Sequence, residues 1–551
     1  MNDIRPIKLR SPQEVMRLAR MGASHPTRLS FLKVMLRRMI SENWRFDCPT
    51  WSIDQQGVGC AVYRAIGPVR TYSLVAFSHN IPDHLRSDRV IATAWDATFT
   101  LFDGTPTETD LNRLSRNVPY QEAGRIQASE LSLSRANRSV RLFRYVVDCL
   151  ASGQQPDLHE VEDVGYLMRT TAVYGSGKFG AADYRDLRTR PEMAVPFQAE
   201  MLSVWLIRQF SVDIVEHMAC AQGGASAVKL QPHIKHALGV GNSTGLGMAP
   251  FIIRHQTLLN HWVEAREKAL VLIRSLQWAS PDNRRSLQDA FVQLRSDALK
   301  WKTNHPLQQE KLNELREDIN KIEERLRIFP GSSQFPWDEL WLWGEQTLTL
   351  EGQEALLALL LEPHGELVDP LAASMSADED AEFFIDGEMN VKKLRDILAV
   401  SYDWALAIDF SAPSARSHFW YVSAEKLEPR LGQRACETEA GKEQPLGIAW
   451  LASSLYKSLK SWPEEENIAR FLLRYPEHRY MVRRAQIADR HPYSEIRDNL
   501  TAENLIPIDM LRCKLAFLGA KNFDPKSDKW LRISLFQGAP YPLDLMLPER
   551  S

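Results

Sequence analysis

No two of the six cysteines (Cys48, Cys60, Cys149, Cys220, Cys436, Cys513) are spaced as CxxC. That absence argues against a zinc knuckle and against a disulfide scaffold, and it points to a reducing, cytoplasmic setting. Long apolar runs are missing too. The longest purely aliphatic stretch, Ala355 to Leu361, falls far short of the roughly 20 residues a membrane span needs. No segment joins a basic start to an apolar core and a small-residue cleavage site, so secretion is not expected. Neither sign of charge dominates. Lys+Arg 67 against Asp+Glu 70 leaves a formal net charge of -3, which exerts no global pull toward nucleic acid or anionic membranes. There is no HExxH, so metalloprotease chemistry is not signalled. No repeat of about 20 to 50 residues is legible.

What the sequence does contain is ordinary in composition and long. At 551 residues, with 44% apolar and 25% charged residues, it exceeds one ordinary core. Composition shifts place three segments at 1–155, 156–372 and 373–551. The first 45 residues hold eight arginines and two lysines against Asp3, Glu14 and Glu42. Phe31, Val34, Met35 and Ile40 stand near helical spacing there, which predicts a folded amphipathic helix over Ser30 to Ser41.

Alternating β-rich runs follow at Val58–Ile66, Arg70–Phe77 and Val90–Phe102. Gly67-Pro68 and Asp103-Gly104 punctuate them, so an antiparallel meander is expected. Thr107 and Asp110 stand in capping-box spacing. The segment Asn117 to Arg125 reads as a plain inter-helix loop, with a wall of the site as the alternative. Val140, Phe143, Val147 and Leu150 step by three, four and three, which predicts a helix from about Ser134 to Ala151. Phe197–Cys220 is apolar nearly all round and reads as a buried helix. Phe251–Trp278 reads as another, with Pro250 in its first turn.

Leu287, Phe291, Leu294, Ala298 and Trp301, then Leu312, Leu315, Ile319, Ile322 and Leu326, alternate by threes and fours around Thr303-Asn-His-Pro306. This predicts an antiparallel helical hairpin with coiled-coil-like packing, serving as a structural arm or as a homo-oligomer or partner surface. The acidic run Ser374 to Glu388 reads as a solvated linker. A second β signal spans Trp404–Phe410 and His418–Ser423, followed by helices around Ile448–Leu459, Glu465–Arg474 and Tyr480–Ala488. The fold class is therefore α+β and helix-dominated: a small antiparallel β-meander near the N-terminus, long central helices with the hairpin, and a second small β element in the C-terminal part. Regular βαβ alternation is absent.

Two glycine-rich segments carry the chemistry. The first runs from Arg169 to Gly180 and includes Gly175-Ser-Gly177-Lys178-Phe-Gly180, a literal GxGxxG. A polar stretch cut by Pro191 and then a buried helix follow it, where a dinucleotide fold needs a packed helix and a second strand. A P-loop is excluded because Phe179 stands where Ser or Thr must hold a metal. The second segment, His236 to Pro250, holds Asn242-Ser243-Thr244. Glycines let backbone N–H groups approach an anion. Arg169 offers a planar fork for carboxylate or phosphate, and Lys178 a point charge. Five of the fourteen histidines (His217, His233, His236, His255, His261) fall within 45 residues. His236 and His255 are the candidates for moving a proton. No set of them has metal-ligand spacing, and no cofactor is indicated.

The expectation is a cytoplasmic enzyme acting on a small anionic molecule by non-redox acid–base chemistry of a lyase or transferase kind. Arg169, Gly175, Gly177, Lys178, Asn242, Ser243 and Thr244 would bind the substrate. The alternative is a non-catalytic scaffold or adaptor working through the 287–326 hairpin. A weaker one is RNA binding through the basic amino terminus and the aromatic strand Phe419-Trp420-Tyr421, with Arg416, His418, Glu425, Glu428 and Arg430 around it; the overall charge speaks against it.

Overall fold

The computed structural model describes the chain outside residues 1–6, 24, 83, 85–93, 122–123, 172–186, 243–254, 302–305, 330, 376–382, 412–418, 424–425, 433–440, 443–445, 498–511, 513–514, 521, 525–531 and 547–551. The chain forms two compact units. One, the sheet unit, comprises Ser30–Gly245, Leu518–Asp524 and Arg532–Ser551. The other, the helical unit, comprises Met1–Leu29, Leu246–Phe517 and Pro525–Leu531.

The expected small meander is the beginning of a larger structure. Strands β1 (Arg45–Ile53), β2 (Gly59–Ile66), β3 (Thr71–Ser78), β4 (Ala97–Asp103) and β5 (Glu130–Arg138) pair antiparallel in sequence order. The sheet then continues through β6 (Tyr166–Thr170), β7 (Gly239–Asn242), Arg532–Leu535 and Asn522–Asp524, to nine strands among the described residues. Strand β6 pairs antiparallel with β5 and parallel with β7, with Arg169 opposite Gly241 and Thr170 opposite Asn242. β1 carries Pro49 beside a register shift between Asp47 and Thr50, and it lies at the sheet edge. An edge tolerates a residue that cannot donate to the ladder.

One expectation fails instructively. The helix predicted from Ser134 begins only at Phe143, and Ser134 to Arg138 belong to β5. Val140, which made the helical spacing look longer, is exposed. β5 is buried along its whole length and bonded on both edges. Ladder bonds to β4 and β6 override a local periodicity that polar Ser-Arg-Ala-Asn-Arg barely expresses.

The two faces of the sheet are covered differently. The Gln198–Gly223 helix lies on one, where Phe210 meets Phe99 at 5.4 Å between ring centres and Tyr63 at 6.4 Å, and Ser203 Oγ meets Ser132 Oγ at 3.1 Å. On the other face Val62, Val75, Phe77, Phe102 and Leu133 pack with Leu114 and Val118. Leu114 belongs to the Glu108–Asn117 helix, which opens with the Thr107–Asp110 capping box in full.

In the helical unit the hairpin forms as Pro281–Lys300 and Pro306–Arg327. All ten seam residues, Leu287 to Trp301 and Leu312 to Leu326, are buried. Buried Asp318 ties the second helix to the Leu350–Leu361 helix: its Oδ2 accepts from the Thr349 backbone N–H at 2.9 Å and from Thr349 Oγ1 at 2.6 Å. Helices Gln256–Arg274, Pro336–Thr347, Val391–Ser401, Leu446–Lys460, Ile468–Arg474 and Arg479–Arg490 complete the unit. The second small β element is present as Phe419–Ser423, Lys426–Gly432 and Gly441–Lys442, but Trp404 lies in a helical turn, Asp403–Leu406, and not in a strand. Among the described residues no helix is long and apolar enough to cross a membrane.

An ion network locks the amino-terminal segment into the helical unit. Arg10 donates to Glu267 through Nε (2.8 Å) and Nη2 (2.9 Å), and to Glu354 through Nη1 (2.7 Å). Arg266 donates to Glu267 as well, at 3.0 Å. Burial pushes the Glu267 carboxyl up, but Arg10 and Arg266 more than offset it and hold it below the usual carboxylate range. Removing Arg10 leaves two buried carboxylates short of a counter-charge. Arg10→Ala is expected to destabilise the protein by about 3–5 kcal/mol in chemical denaturation; a loss below about 1 kcal/mol would show the network to be dispensable.

Candidate binding face at the ends of β5, β6 and β7

Strand alternation decides which side chains meet on each face. Val75, Thr100 and Leu133 stand opposite one another across β3, β4 and β5, within or beside the apolar cluster. One step along, the row reads Phe77, Thr98 and Arg135. One step further, Asn137 stands opposite Arg169, and Arg169 opposite Gly241. The same face thus changes from apolar to polar and cationic within a few residues of each strand.

The polar end is ordered by short contacts. His79, just past β3, places Nε2 3.2 Å from Thr98 Oγ1, and its backbone N–H donates to the Asp96 carbonyl at 2.9 Å. Asn137 Oδ1 accepts from the Asp96 backbone N–H at 3.4 Å. The Asp96 carboxylate turns to Arg138, accepting from its backbone N–H at 2.9 Å and standing 3.6 Å from its Nε. The Arg135 guanidinium lies over the Trp95 ring, 4.4 Å from its centre. Arg169 is 1% exposed, Asn137 4% and Arg135 7%. Charges this far from water act through a low effective dielectric. Burial holds the His79 pKa below the ordinary histidine value, against an opposing pull from Asp96. A neutral imidazole can accept a proton, and the imidazolium so formed can deliver it.

Two glycines of the second segment serve packing. A Cβ on Gly241 would stand 2.8 Å from Arg169 Cγ and 2.8 Å from the Tyr166 ring, so glycine there makes room for the Arg169 side chain. A Cβ on Gly239 would stand 2.3 Å from the Leu535 carbonyl oxygen.

The residues singled out in the sequence fall in several places. Arg169 and Asn242 lie near the carboxyl ends of two adjacent parallel strands, so both glycine-rich segments depart from neighbouring positions of one sheet. By alternation, however, Asn242 leaves the sheet on the face opposite Arg169. His236, in the Pro232–Ala237 helix, lies before the amino end of β7; its Nε2 is 3.3 Å from Asp544 Oδ2 and its ring meets Tyr541. His255 belongs to the helical unit, immediately before Gln256–Arg274. Gly175, Gly177, Lys178, Ser243 and Thr244 lie outside the described residues, as do Pro250, Arg416, His418 and Glu425. Among the described residues no three His, Cys, Asp or Glu side chains converge as a metal site.

Sequence reasoning missed His79, Thr98, Arg135 and Asn137. The signal was there at period two: Leu131 and Leu133, then Arg135 and Asn137, on one side of a strand. Reading that stretch at helical period hid it. Comparison with protein-family models, with curated proteins and with solved structures found no match to this chain.

The lowered His79 pKa has a signed consequence. Below about pH 6.5 the unfolded chain takes up a proton that the folded site resists, so this contribution to stability is complete above that pH and declines as pH falls. Denaturation free energies from pH 8 to pH 5 should therefore fall less steeply for His79→Gln than for wild type. Parallel curves would count against a buried, neutral His79.

Proposed function

We propose that this chain is an enzyme that binds a small carboxylate- or phosphate-bearing molecule on the polar face of β4, β5 and β6. Arg135 and Arg169 supply charge, Asn137 and Thr98 orient the ligand, and His79 moves a proton in non-redox chemistry of a lyase or transferase kind. The observation that carries this reading is the register that sets Asn137 opposite Arg169, with Arg135 two residues away on the same face. Topology adds support. Ligands of open sheets gather outside the carboxyl ends of parallel strands, and β6 and β7 are such a pair. The first glycine-rich segment follows β6 directly, and Lys178 within it would add a further cation. In this reading His79 takes the proton-transfer role, because His236 is engaged with Asp544 and Tyr541. Thiols at Cys48, Cys60, Cys149 and Cys220 agree with a reducing cytoplasm.

A thermal-shift and calorimetric screen of phosphorylated and carboxylated metabolites tests the proposal. At least one should raise the wild-type melting temperature. Arg135→Gln and Lys178→Ala, each verified as folded, should weaken its binding by about 10- to 100-fold, the size expected for one charge-assisted hydrogen bond. A panel that shifts nothing, or an Arg135→Gln protein that binds as wild type does, would remove the basis of the assignment.

A further inference from the structure

At the other end of β4 and β5, a cleft of about 540 Å³ opens beside Asp103, Arg125, Ser129, Leu131, Leu187 and Arg190. That volume is in the range of small-molecule sites. Its walls are pre-set by contacts within the sheet unit. The loop before β5 is pinned where Glu130 Oε2 accepts from the Ile126 backbone N–H at 3.2 Å, with Arg113 donating to Glu130 Oε1. Asn117 Nδ2 donates to the Gly124 carbonyl at 3.0 Å. The Arg125 side chain is exposed yet oriented, because Nη1 donates to the Leu131 carbonyl at 3.1 Å. Across the cleft, Arg190 donates through Nη2 to Asp103 Oδ2 at 2.7 Å, and its Nη1 lies 3.5 Å from the Tyr72 hydroxyl. That hydroxyl in turn donates to Glu192 at 2.6 Å.

The cleft thus holds two oriented guanidinium groups and one carboxylate, and that carboxylate is already engaged by Arg190. Its floor is apolar, with Leu131 and Leu187 both buried. A planar guanidinium fork suits carboxylate and phosphate oxygens. A buried aliphatic floor suits a compact apolar body rather than a bare inorganic anion.

We propose that this cleft binds a small organic acid, a carboxylate or phosphate monoester with a compact apolar body. Its anionic oxygens pair with Arg125 and Arg190, and its body lies on Leu131 and Leu187. The site is separate from the Arg135–Arg169 face: Leu131 and Arg135 are four residues apart on β5, about 13 Å along the strand, with Leu133 of the apolar core between them. It therefore does not rest on the function proposed above.

Titration of the full chain with phenyl phosphate, benzoate and inorganic phosphate tests it. Phenyl phosphate or benzoate should bind wild type, and phenyl phosphate more tightly than inorganic phosphate. Arg125→Gln and Arg190→Gln should each weaken binding about tenfold or more, whereas Arg135→Gln should leave it unchanged. Arg125 is exposed, so its substitution reads binding without unfolding the protein. Absence of binding to wild type, equal affinity for inorganic and phenyl phosphate, or indifference to Arg125→Gln each overturns the assignment. Loss of binding in Arg135→Gln alone would place the probe on the other face and overturn it too, while supporting the function proposed for that face.

Discussion

The parallel pairing of β6 with β7 is the constraint on which the sheet unit depends. Parallel neighbours cannot be joined by a tight turn; they need a long crossover, and here the Gln198–Gly223 helix lies within it. That helix covers one face of the meander and brings β7 back beside β6. β7 then offers its far edge to Arg532–Leu535, which pairs antiparallel with it, so residues from the two ends of the chain share one sheet. Gly239 and Gly241 make this approach feasible, because side chains there would collide with the Leu535 carbonyl and with Arg169. Without the pair, Gly241 and Asn242 would have no fixed relation to Arg169 and Thr170.

Buried charge is handled differently in the two units. In the helical unit Arg10, Arg266, Glu267 and Glu354 answer one another at 2.7–3.0 Å. The desolvation of each ion is offset by its partners, and the outcome is structural. In the sheet unit Asp96 is turned toward Arg138, while Arg135 stacks on Trp95 and Arg169 runs along Gly241. Stacking and close backbone approach both fix how a guanidinium lies.

How much could be read from the letters depends on how local the cause was. The hairpin's ten seam residues are buried as their spacing predicts, and the Thr107–Asp110 box forms as its spacing predicts. Both are satisfied by residues within a turn or two of helix. β5 was read as helix because its strand character comes from β4 and β6, which lie far away in sequence. With β5 misread, Arg135 and Asn137 lost their shared face, and His79 and Thr98 lost the neighbours that give them meaning. Arg169 was legible as a candidate cation; its partners were not.

The sequence by itself determined that helices dominate, that a meander begins near the amino terminus, and that two glycine-rich segments flank a buried helix. It could do so because helical period, caps and turn residues act over a few positions. Only the tertiary structure decided that β6 and β7 are parallel neighbours, that Arg169 faces Asn137 while Asn242 turns to the other side, and that Gly241 exists to admit an arginine. Those facts depend on strand register between segments some 30 to 290 residues apart, such as Asn137 with Arg169 and Gly241 with Ser534. Register is fixed by burial on both faces at once, and no single stretch of sequence contains it.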